Sequence, residues 1–203
     1  MLRKAMLMAT MVAAVAAFVA PSAQASFSNS KWSMGGVELK VEGTFEGTGQ
    51  LKFTSTAGLG GIECHVVAHA NLIKESSTGS ITKFVVSNCM YFGPLLLFCE
   101  TNVDVNATLP WTIHAQKTGS SKRILITKPV IHTEVTEPGA NCPNGGKINV
   151  EGSDSANPVF ATPDSNTAAT KLTFGGEVAT TIGAAKVEGT ITLTSGSGTY
   201  GIL

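Results

Sequence analysis

Ile62-Glu63-Cys64-His65-Val66-Val67-Ala68-His69-Ala70-Asn71-Leu72 decides the fold. Ile62, Cys64, Val66, Ala68, Ala70 and Leu72 share one parity, and Glu63, His65, Val67, His69 and Asn71 share the other. Side chains alternate across a strand, so this is a β-strand with its first set in a core and its second toward water. The polar segment Lys74-Glu75-Ser76-Ser77-Thr78-Gly79 reads as a turn, and Ile81, Phe84 and Val86 open the return strand. A hairpin centred between Ser76 and Ser77 sets Leu72 opposite Ile81 and Cys64 opposite Cys89, which predicts a cross-strand Cys64–Cys89 disulfide.

The same two-residue period, rich in Thr, Val and Ile and broken by Gly, Ser and Asn-Gly, runs through the chain on both sides. Strands are expected at Gly36–Glu42, Thr44–Thr54, Gly61–Ile73, Ser80–Asn88, Leu95–Asp104, Trp111–Lys117, Arg123–Thr136, Lys147–Glu151, Pro158–Thr162, Thr170–Val178, Ala185–Thr194 and Thr199–Ile202. No helical stripe appears after residue 25. This pattern implies an all-β, antiparallel β-sandwich, with an open or closed β-barrel as the alternative. The tract Glu151–Ala169 is the most loop-like. Lys40-Val41-Glu42-Gly43-Thr44 recurs as Lys186-Val187-Glu188-Gly189-Thr190, which we read as shared strand chemistry.

Residues 1–25 carry an export signal: Arg3 and Lys4, an apolar run from Ala5 to Ala20, the helix-breaking Pro21, and the small-x-small site Ala23-Gln24-Ala25. The run is short of the roughly 20 residues that span a bilayer, so we expect cleavage before Ser26 and one all-β domain over residues 26–203. No transmembrane anchor is expected after cleavage. The localisation expected is secreted or cell envelope. Export makes four cysteines a disulfide set, Cys64, Cys89, Cys99 and Cys142, and no C-x-x-C pair offers a zinc site. A hairpin joining Trp111–Lys117 to Arg123–Thr136, centred between Ser120 and Ser121, sets Cys99 opposite Cys142 and predicts the second bridge.

Charged residues make up 14% of the chain, and its formal net charge is zero. The usual charged share is about 25%. Beyond the signal Arg123 is the only arginine, and the lysines are scattered in sequence. Nucleic acids and anionic membranes bind clustered cations, so neither is an expected partner.

No motif calls for a cofactor. His65 and His69 would share a metal on a helix, but on a strand they stand roughly 13 Å apart. His114 and His132 fall on other strands, so no metal site is expected. Glu38, Glu42, Glu46, Glu134 and Glu137 suit strand edges as well as a glycosidase pair. Ser28-Asn29-Ser30-Lys31 matches Ser-x-x-Lys only formally, because it lacks the helix that presents such a serine, and Gly196-Ser197-Gly198 lacks the frame of a nucleophile elbow. Asp154, Asn157, Asp164 and Asn166 do not have the spacing of an EF-hand. No catalytic residue is assigned.

The contact candidate is the apolar segment from Met90 to Phe98, with Tyr91, Phe92, Leu95, Leu96, Leu97 and Phe98. Turned outward it is a hydrophobic finger; as a corner crossing it is core, and the core reading is preferred because large exposed apolar patches are uncommon.

The signal, Gly60-Gly61-Ile62-Glu63-Cys64 on an early strand, the following strand ending at Cys89, and the closing Gly198-Thr199-Tyr200-Gly201-Ile202-Leu203 resemble exported Thr- and Gly-rich β-proteins of high-GC Gram-positive (actinobacterial) bacteria. The likeness implies no activity. The expected function is a non-enzymatic envelope or extracellular binding or structural protein, its partner a cell-envelope protein or glycan. A secreted carbohydrate-active hydrolase using a carboxylate pair is the alternative, and a carrier of an apolar ligand the second.

Overall fold

The structure is a computed structural model describing residues 30–92, 98–99, 103–135, 147–153, 158–181, 183–195 and 200–203. Among these the strands are, in chain order, β1 (Trp32–Met34), β2 (Val37–Glu38), β3 (Gly43–Ser55), β4 (Gly61–Leu72), β5 (Thr78–Phe92), β6 (Phe98–Cys99), β7 (Val103–Thr108), β8 (Trp111–Thr118), β9 (Ser121–Thr127), β10 (Val130–Val135), β11 (Lys147–Ser153), β12 (Phe160–Pro163), β13 (Lys171–Gly175), β14 (Glu177–Thr180), β15 (Gly183–Ser195) and β16 (Tyr200–Ile202). No helix occurs among the described residues. Every ladder between strands is antiparallel.

Strands β13-β12-β9-β8-β5-β4-β3-β15 follow one another by hydrogen bonds, and β15 pairs back onto β13. The result is a closed eight-stranded barrel. The expected sandwich is therefore corrected to its barrel alternative. Closure depends on the β12–β9 and β13–β15 pairings, which no local periodicity reveals.

The barrel wall branches at one point. Segments β13 and β14 share a single register against β15, from Lys171↔Thr192 to Thr180↔Gly183, with a break at Gly175-Gly176. Gly176 has φ +100°, and a Cβ there would lie 2.3 Å from the Pro158 carbonyl oxygen, so only glycine fits. Before the break the outer edge takes β12; beyond it, β14 takes β11, then β10 and β7. The long strands β3, β4, β5 and β15 are thus covered twice. At one end β8, β9, β12 and β13 close the circle. At the other, β14, β11, β10 and β7 lie over the same inner face, bringing Val105 of β7 against Ile62, Cys64 and Tyr91. Among the described residues β7 has a ladder only with β10, and β6 pairs with Tyr91 and Phe92 of β5, which leaves an unbonded seam toward residues 82–90 of β5.

The closed end is filled. Ile113, Ala115, Ile124, Ile126, Ala161 and Leu172 point inward with Ala70 and Leu72, each contributing through apolar burial. A small sheet, β16-β1-β2, plugs the mouth with Trp32, Leu39, Tyr200 and Ile202. Trp32 is fixed by its indole Nε1–H, which donates to the Thr78 carbonyl at 2.7 Å.

The alternation in Ile62–Leu72 is reproduced in full: the even residues are buried from Ile62 to Leu72. The Cys64–Cys89 bond is present. Its hairpin register differs from expectation: Leu72 faces Gly79, and Ile81 faces Ala70. Register shifts then fall between His69 and Ala70 and between Glu63 and His65, each adding a residue to β5. The second places Asn88, at φ +50°, and Cys89 across from Cys64. The disulfide is thus reached through two bulges.

The β8–β9 hairpin turns over Gly119-Ser120, with Thr118 opposite Ser121, one residue earlier than expected. The expected strand Arg123–Thr136 is cut into β9 and β10 at Lys128, where φ is +52°, followed by Pro129. The side chain of Cys99, and Cys142, lie outside the described residues, as do residues 1–29 with the export signal.

Candidate functional site

Beneath the seam, the upper part of the long sheet and its second cover enclose a cavity of about 60 Å³. Phe53 of β3, Ile62, Cys64 and Val66 of β4, and Phe84, Val86 and Tyr91 of β5 form one wall. Val105, Ile131, Val150 and Ala185 form the other. The two remaining voids of the interior, about 30 Å³ inside the barrel and about 20 Å³ under the plug, are smaller.

Tyr91, Thr180 and Ser55 place their hydroxyls on protein groups, and Thr133 adds a fourth hydroxyl to the lining. Tyr91 donates to the Leu59 carbonyl at 3.0 Å, the Thr180 hydroxyl to the Gly183 carbonyl, and the Ser55 hydroxyl accepts from the Ala57 amide at 3.2 Å. The space therefore accommodates hydrocarbon. An apolar cavity stays dry and accepts apolar guests; one of about 150 Å³ takes benzene. At 60 Å³ this one suits a branched or short apolar end group rather than a whole ring or lipid chain.

The histidines lie on the outer face. Thr48 Oγ1 is 3.0 Å from His65 Nε2. Glu46 Oε1 is 3.3 Å from His69 Nε2, close enough for an ion pair when the imidazole is protonated but poorly aligned for a hydrogen bond. His114 is on β8 and His132 on β10. Among the described residues no three His, Cys, Asp or Glu side chains converge on a metal position.

The carboxylates form pairs and ladders. Glu38 is bound by Lys31 and Lys40, whose hydrogen bonds hold its carboxyl below the usual range. Across β15, β3 and β4 the register runs Glu188↔Lys52↔Glu63 along an open outer groove. Two strand spacings, roughly 10 Å, separate the acids, which approaches the distance of an inverting glycosidase. The chemistry differs. Such an enzyme needs one acid held protonated, whereas the hydrogen bond from Lys186 holds the Glu188 carboxyl below its usual range. Lys52 also stands between the two acids, its ammonium over the Phe92 ring at 4.5 Å.

Of the contact segment, Tyr91 and Phe92 are buried and Tyr91 lines the cavity, while Met90 is exposed. Leu95, Leu96, Leu97 and the side chain of Phe98 lie outside the described residues, with Glu137, Asp154, Asn157 and the 196–198 turn. Asp164 serves its own loop, accepting from the Thr170 hydroxyl at 2.7 Å, the Thr170 amide at 2.9 Å and the Lys171 amide at 3.1 Å. Val105, Ile131, Val150 and Ala185 were visible in the sequence only as apolar residues; nothing local marks them as lining an underfilled space. Comparisons with protein-family models, with curated proteins and with solved structures find no match for this chain.

Proposed function

We propose that this is an exported, non-enzymatic binding protein whose open half captures the small apolar end group of a ligand. The observation that carries the reading is the cavity: it holds about 60 Å³, its lining is mostly hydrocarbon, and it lies under the seam between β5 and β7. Its size argues against a carrier that encloses a whole lipid. In the Glu63–Lys52–Glu188 ladder the hydrogen bond from Lys186 holds the Glu188 carboxyl below its usual range, which counts against Glu188 as the acid of a glycoside hydrolase.

Export rests on the signal over residues 1–25 and is consistent with the Cys64–Cys89 bond. Mass spectrometry of the secreted protein is expected to give a chain beginning at Ser26; an intact Met1 in the medium or envelope contradicts cleavage.

The binding reading is tested by titrating the oxidised protein with isoamyl alcohol, which carries a branched apolar end, while following methyl resonances by NMR. Saturable shifts at Val66, Ile131 and Val150 are expected, and Ala185→Leu, which fills the cavity, should abolish them. Shifts spread over the surface, or unchanged in Ala185→Leu, sink the reading.

A further inference from the structure

We propose that a second site, independent of the cavity, binds oxyanions: the groove between the β8–β9 turn and the chain after β12, built around Arg123. This groove has a volume of about 560 Å³ and includes Lys122, Arg123, Ser120, Ser121 and Thr162 in its lining.

Arg123 is held as a binding arginine is held. It lies opposite Gln116 in the β8–β9 ladder, and its Nε–H donates to Gln116 Oε1 at 2.7 Å. Gln116 is only 4% exposed although it shares the outward parity of Thr112 and His114. The guanidinium carbon lies 5.3 Å from the Phe160 ring centroid. One edge of the fork is thus fixed and one face is stacked, which leaves the terminal nitrogens for a partner. A guanidinium already oriented loses less entropy when it grips a carboxylate or phosphate with two parallel hydrogen bonds.

The surroundings supply unneutralised charge. Lys122 lines the groove beside Arg123; Lys117, opposite it in the ladder, lies outside the lining, and both share the inward parity of Ala115 and Ile124. Among the described residues none of Lys117, Lys122 and Arg123 has a carboxylate within ion-pair distance. Burial, and then Lys117, pushes the Lys122 amine below its usual value, and its Nζ donates to the Ile202 carbonyl. Asp164 also lines the groove, but its oxygens are turned to Thr170 and Lys171. The hydroxyls of Ser120, Ser121 and Thr162 suit the polar body of a sugar acid as well as phosphate oxygens.

The test is an NMR titration of the oxidised protein at low salt, with glucuronate in one arm and inorganic phosphate in the other. Saturable shifts at the Arg123 Nε–H and the Ser120 and Ser121 amides are expected. Tighter binding of glucuronate assigns a sugar acid, and tighter binding of phosphate assigns a phosphorylated ligand. Charge-assisted pairing is strong enough that Arg123→Gln should weaken binding by about tenfold or more. Gln116→Leu keeps the charge but frees the fork, and should weaken it by about threefold. Lys122→Gln, at a residue that lines the groove, reads the same site should Arg123→Gln fail to fold. Lys83→Gln, on β5, should leave affinity unchanged. No saturation in either arm, or equal losses in Arg123→Gln and Lys83→Gln, overturns the proposal.

Discussion

The two ends of the molecule share the strands β3, β4, β5 and β15 and differ in what lies over them. At the closed end every barrel strand has hydrogen-bonded neighbours on both sides, and Trp32, Tyr200 and Ile202 stop the mouth. At the open end β7 is bonded on one edge, a cavity of about 60 Å³ remains, and Cys64–Cys89 ties β4 to the bulged part of β5. Backbone closure and tight side-chain packing hold the first. In the second, a covalent link braces the β4–β5 ladder at its bulge while the seam toward β7 lacks ladder bonds among the described residues.

This contrast can be broken most severely at the plug. Trp32 is 2% exposed and donates to the Thr78 carbonyl, so Trp32→Ala should cost about 3–5 kcal/mol, read as a lowered midpoint in urea unfolding. The next largest effect belongs to the open end. The bond closes a sequence separation of 25 residues; replacing Cys64 and Cys89 by alanine together should remove about 2–4 kcal/mol. Hydrogen exchange should quicken first in the Cys89–Phe92 part of β5 and in β7, with the β8–β9 ladder still protected.

Acid gives the smallest effect and acts at the other end. The Thr170 hydroxyl, then the Lys171 amide, hold the Asp164 carboxyl below its usual range, and Lys31 and Lys40 do the same for Glu38. A depressed folded value means stability that is present above the ordinary carboxylate range and lost as pH falls through the folded value, that is, below about pH 4. Asp164 is exposed and Glu38 only half-buried, so the loss is modest. The amide resonances of Thr170 and Lys171 should shift in that window and cease to do so in Asp164→Asn. Reductant and acid should therefore loosen opposite ends of one sheet.

Individual strands were legible because alternation is local. Glu63 and His65 belong outside and Cys64 and Val66 inside, whatever the rest of the chain does. Breaks were less legible. Strands were expected to run through Lys128-Pro129 and Gly175-Gly176, because nothing local marks Lys128 for the left-handed region or Gly176 for the branch. The bulges in β5 were invisible because Thr82 and Asn88 are ordinary strand-face residues by composition. The choice between sandwich and barrel depended on long-range pairing, as between Phe160 and Leu125. The candidate site was legible only at Tyr91, since a void is a property of what several distant side chains fail to fill. Arg123 stood out as the one arginine after residue 25, with Lys122 beside it in sequence, but its contacts with Gln116 and Phe160 come from strand pairing.

The pairing of β1 with β16, Trp32 against Ile202 and Met34 against Tyr200, also orders events in time. Synthesis delivers Trp32 long before its partner, so the first strand to emerge is among the last to dock. Until Tyr200 arrives the barrel mouth stays unstopped and an indole waits in solvent. Any helper that shields the nascent chain has its clearest target there, and a protease acting during that interval should cut near Lys31 and Lys40 rather than within the hairpin of β4 and β5.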